Sequence, residues 1–194
     1  METLEALDRQ LFLFLNSFHS VYLDEFMYLV TKIVIFTPLF VYWIYLLFKK
    51  YQSKKMLVLL PFIALLITIT DQSATQTKEH VKRSRPTHNI EIGHQVHVVR
   101  DYRGGDHGFF SGHASNTFGI ATLLFWMLSN KSMAFRSTFF LWAGLTSYSR
   151  IYLGVHYPSD IFLGMLVGIA AGSLVFYMLN YTFIKYFKYN SFEH

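Results

Sequence analysis

Of the 194 residues, 53% are hydrophobic and 19% aromatic, and only 15% are charged, against roughly 25% in an average soluble domain. That balance excludes intrinsic disorder, which needs low hydrophobicity and high charge, and makes a membrane the first environment to test. Lys and Arg total 17 against 12 Asp and Glu, a formal charge of +5, and the absence of Cys excludes disulfides, thiolate metal sites and a cysteine nucleophile.

In chain order, Leu4 to Ser20 comes first. Leu4, Leu7, Leu11 and Leu15 recur at helical spacing among Glu5, Asp8, Arg9 and Gln10. This pattern predicts an amphipathic helix that lies on the membrane surface or caps the bundle. No basic region precedes an apolar core, so it does not read as a cleaved signal peptide, and the first spanning helix is expected to be an uncleaved anchor. Spanning a bilayer takes about 20 mostly apolar residues. Phe26 to Phe48 is the first such run, broken only by Lys32 and Pro38. Met56 to Thr70 is the second and can continue as a helix through Asp71 to Thr77. The third and fourth lie around Ser115 to Ser129 and Ser137 to Tyr152. Ile161 to Ile184 is the clearest. Gly164, Gly168 and Gly172 align on one face of it, where a neighbouring backbone can approach closely. No repeat or linker divides the chain. The expected fold is all-α: one domain, residues 1–194, a polytopic membrane helix bundle of about five transmembrane helices plus an N-terminal amphipathic helix.

Lys49, Lys50, Lys54 and Lys55 lie between the first two spans, Lys131 and Arg136 between the third and fourth, and Lys185 and Lys188 after the fifth. With five spans these share one side, and the positive-inside rule makes it the cytoplasm. The other side still carries Lys78, Lys82, Arg83, Arg85, Arg100, Arg103 and Arg150, a conflict that resolves if several of them hold an anion.

Three clusters converge there. Lys78 and Arg85 are seven residues apart, two helical turns, and can point the same way from the end of the second helix, which Pro86 should end. Ser111-Gly112-His113 opens the third span. Ser149-Arg150, His156 and Asp160 precede or open the fifth. Arg and Lys bind phosphate oxygens as a planar fork and as a point charge. Gly112 admits a backbone N–H to an anion, and a helix N-terminus adds further N–H groups and a positive dipole end. Two His allow one nucleophile and one general acid. If Pro158 opens the fifth helix, Asp160 lies in its first turn and can fix the His156 tautomer.

Lys78 with six residues to Arg85-Pro86, then Ser111-Gly112-His113, then Ser149-Arg150 with five residues to His156 and three to Asp160, resembles the tripartite signature of the type 2 phosphatidic acid phosphatase superfamily. Phe110 stands where that family usually has Pro, and an amphipathic segment replaces the first of six spans common in bacterial members. The resemblance implies that His156 attacks phosphorus to form a phosphohistidine, that Asp160 orients it, and that His113 protonates the leaving lipid oxygen. It implies that Lys78, Arg85, Arg150, Ser111 and the Gly112 amide hold the phosphoryl oxygens. It implies no metal and no cofactor, because three cations take the place of Mg²⁺.

His88, His94, His97 and His107 lack such a motif, and His94 with His97, though spaced plausibly for Zn²⁺, reads as surface or substrate rim. Lys82, Arg83, Arg100 and Arg103 read as rim contacts or solvated charges. The expected partners are a phosphorylated membrane lipid and the bilayer, with no nucleic acid and no obligate protein partner. Undecaprenyl diphosphate is the first choice of substrate for an outward-facing site. Lipid A follows, then phosphatidylglycerophosphate or phosphatidate. A phosphotransferase is the alternative of another class. A soluble haloperoxidase or a non-catalytic scaffold fits less well.

Overall fold

The computed structural model describes residues 2–191. Its helices are α1 (Glu2–Asn16), α2 (Val21–Val30), α3 (Thr37–Val81), α4 (Gly112–Met127), α5 (Met133–Tyr152) and α6 (Pro158–Phe187), with short 3₁₀ turns at Ile33–Phe36, Pro86–His88 and Gly93–Gln95. Helix α3 is a hairpin rather than a rod. Gln52 leaves helical space at φ 58° and ψ 174°, and the two arms on either side run in opposite directions along the bundle. The first arm descends α5, with Phe36 against Trp142 and Trp43 against Phe139. The second ascends α4, bringing Leu66 beside Gly119 and Ala74 beside Gly112.

The first apolar run does not form one helix. A span from Phe26 is corrected to a short α2, a 3₁₀ turn and an arm that begins at Thr37. Pro38 stands in the first turn of that arm, where its missing N–H costs nothing, whereas inside a continuous helix it would clash with the preceding turn. The second arm extends past Asp71 to Val81 and stops there, before Pro86. Lys82 takes a left-handed cap at φ 53°, so Arg85 sits on the following extended segment and not on the helix face shared with Lys78.

At the centre stands α4, which is apolar nearly all round and buried along most of its length, as a core helix must be. It packs most closely on α6. A Cβ at Gly164 would lie 2.6 Å from Ser111 O, one at Gly172 2.5 Å from Gly119 O, and one at Gly168 would collide with Ser115 O. The three glycines therefore serve backbone approach.

Large apolar side chains lie exposed on α3 (Val41, Ile44, Phe48, Leu57, Leu60) and α6 (Phe162, Leu166, Leu174). Ile33–Val81 and Pro158–Phe187 are long and apolar enough to cross a bilayer. A soluble monomer does not leave so much apolar surface in water, so the outward belt reads as lipid-facing.

Helix α1 docks in the opposite sense to a capping helix that buries its apolar stripe. Leu4, Leu7, Leu11 and Phe14 are exposed. Its inner face is Asp8, Phe12 and Asn16, the last donating to the Ile151 and Tyr152 carbonyls. The apolar stripe is thus free for lipid. At the far end of the bundle, Lys50 donates to the Met127 and Ser191 carbonyls, and Lys55 lies over the Tyr189 ring. The α3 hairpin turn, the α4–α5 turn and the end of the described chain therefore share one end.

Candidate active site

The other end gathers every residue singled out for chemistry. Pro158 opens α6, Tyr157 is its N-cap and Asp160 its third residue, so the Asp160 Oδ2 accepts the Tyr157 N–H at 2.9 Å in a capping box. This local geometry, written in four consecutive residues, turns the carboxylate back toward the chain that enters the helix. The same oxygen lies 3.4 Å from His156 Nδ1. That bond assigns the proton to Nδ1 and leaves Nε2 as the lone-pair nitrogen. His156 and Asp160 are both fully enclosed, at 2% and 0% exposure.

Ser111 caps α4, accepting from the Ala114 N–H while its own N–H donates to the Asp160 carbonyl at 3.1 Å. One bond thus ties the start of α4 to the start of α6. Gly112 follows with Lys78 Nζ beside it: a Cβ there would lie 3.6 Å from that ammonium. His113 is the next residue and is exposed. The charges of Arg150, Lys78 and Arg85 act on it. A cleft of about 130 Å³, lined by Val30, Phe36, Thr117 and Trp142, opens on His113 from the side of the bundle.

Arg85 lies over Gly104 and Gly108, where any Cβ would strike its side chain, and its Nη1 donates to the Val155 carbonyl at 3.2 Å. Arg150, 3% exposed in the last turn of α5, donates from Nη2 to Tyr102 OH at 3.0 Å and from Nη1 to Thr31 Oγ1. The Nε atoms of both arginines are buried without a hydrogen-bond partner, and buried donors in that state are costly. Burial, and then the nearby Arg150 charge, push the Arg85 guanidinium below its ordinary pKa. An anion among these cations would relieve both penalties. Burial likewise pushes His156 down from 6.5 to about 4, with Arg85 and Arg150 adding to it against the raising effect of Asp160. The imidazole is therefore neutral at pH 7, as a nitrogen nucleophile must be.

One reading is corrected. Arg83, expected at the rim or in solvent, is committed to the interior. Its Nη1 donates to Asp160 Oδ1 and to Ser159 Oγ, both at 2.7 Å, and its Nη2 to Asp8 Oδ2 at 2.6 Å. The Tyr157 ring lies 4.0 Å from its guanidinium carbon. No periodicity or motif marks Arg83, Asp8, Thr31 or Tyr102; they are recruited across the fold. Arg100 pairs with Glu25 on the surface. His97 is bonded to Asp24 at 2.8 Å and stacked on His19. Among the described residues, no three His, Asp or Glu gather as a metal ion requires.

Residues 57–184 match the PAP2 superfamily model. A lipid A 4'-phosphatase of Bacteroides thetaiotaomicron is 37% identical over 92% of this chain and 79% of its own length. One from Porphyromonas gingivalis is 34% identical over 94% and 77%. In structure, Aquifex aeolicus LpxE superposes with a TM-score of 0.65 at 26% identity, over 86% of this chain and 92% of that one. A transmembrane PAP2-type phosphatidylglycerolphosphate phosphatase from Bacillus subtilis shares the fold, with a TM-score of 0.66 at 20% identity over 96% and 89%. With its motifs gathered at one end of the bundle and two thirds of its length matched, the chain belongs to the PAP2 superfamily and is a phosphatase of that family.

Proposed function

We propose that the protein removes a phosphate from lipid A, working at the periplasmic face of the inner membrane through a phosphohistidine on His156. The observation that carries the reading is the enclosed His156–Asp160 pair facing three cations, two of which hold unpartnered buried Nε donors. Nε2 of His156 attacks phosphorus while the bond to the lipid oxygen breaks, and His113 gives that oxygen its proton. Neutral His113 then takes a proton from water, whose oxygen displaces His156 and releases phosphate. Lys78, Arg85, Arg150 and the N–H groups at Ser111 and Gly112 stabilise the charge on the equatorial oxygens. Three cations give the stabilisation that a metal ion supplies in other phosphoryl-transfer sites.

Undecaprenyl diphosphate is the first expectation from the sequence, because an outward-facing site suits carrier-lipid recycling. The two relatives named lipid A 4'-phosphatase move lipid A ahead of it. The mostly apolar cleft beside His113 suits the leaving group of a membrane lipid of any of these kinds. The outward orientation is supported by the basic end of the bundle, which lies opposite the site.

The test is phosphate release by the purified protein from lipid A, undecaprenyl diphosphate, phosphatidylglycerophosphate and phosphatidate, each with and without EDTA. The expected result is fastest turnover on lipid A, with loss of the 4'-phosphate seen by mass spectrometry and no effect of EDTA. Preference for another lipid overturns the substrate, loss of activity restored by Mg²⁺ overturns the metal-free mechanism, and phosphate appearing on a second lipid points to transfer.

A further inference from the structure

We propose that Arg83, held by Asp8 of the amphipathic helix, is a positioning residue for the phosphatase reaction, fixing Asp160 and through it the His156 ring. The inference rests on the reading of His156 as the nucleophile. Asp160 has two oxygens and three partners. Oδ2 is shared between the Tyr157 N–H and His156 Nδ1, while Oδ1 is given wholly to Arg83. The capping box alone fixes one oxygen and leaves the carboxylate free to turn about it. The Arg83 bond removes that freedom and sets the plane in which Oδ2 meets the imidazole.

Arg83 is itself over-determined. Asp8 Oδ2 takes its second nitrogen, Ser159 Oγ its first, and the Tyr157 ring one face. Asp8 Oδ1 also accepts the Ser159 N–H at 3.0 Å, and its Oδ2 accepts the Ser159 hydroxyl. The carboxylate therefore docks the middle of α1 onto the first turn of α6. Because the other face of α1 is Leu4, Leu7 and Leu11, exposed to lipid, the seating of α1 on the membrane surface bears directly on the nucleophile. Although burial opposes it, the carboxylates of Asp160 and Asp8 hold Arg83 above its ordinary pKa, so the cation is present throughout the working range. Lys is no substitute, since only a planar fork serves two carboxylates at once.

The charged and titratable groups that bear on His156 and Asp160 are Lys78 from α3, Arg83 and Arg85 from the segment after it, His113 from α4, Arg150 from α5 and Tyr157 at the start of α6, with Asp8 of α1 acting through Arg83. Removing one cation from this set makes both Asp160 and His156 hold protons to higher pH. Arg83→Gln should therefore lower kcat about 100-fold, the scale of a misaligned reacting group, with KM little changed. It should also move the acid limb of the kcat/KM profile up by about one pH unit. Arg83→Lys should return the limb toward its original position and recover only part of kcat. Asp8→Asn should lower kcat without that upward shift.

The profiles are read on lipid A in detergent, with His156→Ala measured alongside. An inactive His156→Ala with an unmoved limb or unchanged kcat in Arg83→Gln overturns the role of Arg83 alone. An active His156→Ala overturns the nucleophile on which it rests. Where Arg83→Gln does not fold, Arg83→Lys decides: full wild-type kcat overturns the proposal, and reduced kcat at unchanged KM supports it.

Discussion

Asp160 shows how much a single side chain has to do here. It caps α6, receives the Arg83 guanidinium and orients His156. The proposed chemistry depends on the ring it orients being neutral and aligned. His156→Ala should therefore reduce phosphate release below about one thousandth of wild type, with the protein still eluting as a folded species in detergent. His113→Ala should slow turnover by about 10²–10⁴, the usual contribution of a general acid. Since burial holds His156 near 4, the acid limb of kcat/KM should fall well below the 6.5 of an ordinary imidazole, as a pH profile from 4 to 8 will reveal. The same shift has a stability sign. Between about 6.5 and about 4 the unfolded chain binds a proton at His156 that the folded chain does not, so folding weakens as pH falls through that window.

At the scale of elements, the site depends on how closely α4 and α6 approach. Ser111 N–H bonds to the Asp160 carbonyl only because Gly164 and Gly168 let the backbones touch. Gly168→Ala should lose about 1–3 kcal/mol, the cost of overpacking a tight core, since its Cβ would meet the Ser115 carbonyl and Gly119 N–H. Activity should fall as well, because α4 carries His113. Gly144→Ala in α5 makes the contrast: nothing lies within 4 Å of its would-be Cβ, so it should be neutral or slightly stabilising. Thermal unfolding of both variants in one detergent checks the pair. The spacing of the three glycines was legible in the chain, and its packing meaning with it. The partner helix was not, because a small-residue stripe says that something comes close without saying what.

For the whole molecule, cations gather at both ends. Lys50 and Lys55 sit with the end of the described chain at one pole, and Lys78, Arg85 and Arg150 gather at the other around the proposed phosphate site. The natural absence of Cys makes the orientation testable with single introduced thiols. Ser53→Cys, at the α3 hairpin, should resist a membrane-impermeant maleimide in intact spheroplasts, and Gly105→Cys, in the loop above the site, should react. The reverse pattern would turn the site to the cytoplasm.

The chain offered the meeting of eight residues at one pole only as an expectation, from the order of its spans and a family resemblance; by itself it determined that the protein is all-helical and strongly apolar and that helices start just after Ser111 and at Pro158. These are consequences of short-range rules: periodicity, caps, and spacings that span one or two turns. Only the tertiary structure decided that the first apolar run breaks before Thr37, that α3 turns back on itself at Gln52, and that α1 faces its leucines outward. It alone joined Asp8 and Arg83, 75 residues apart, to Asp160. An ion pair between distant segments leaves no period or motif in a sequence, because its geometry exists only once the helices that carry it have packed.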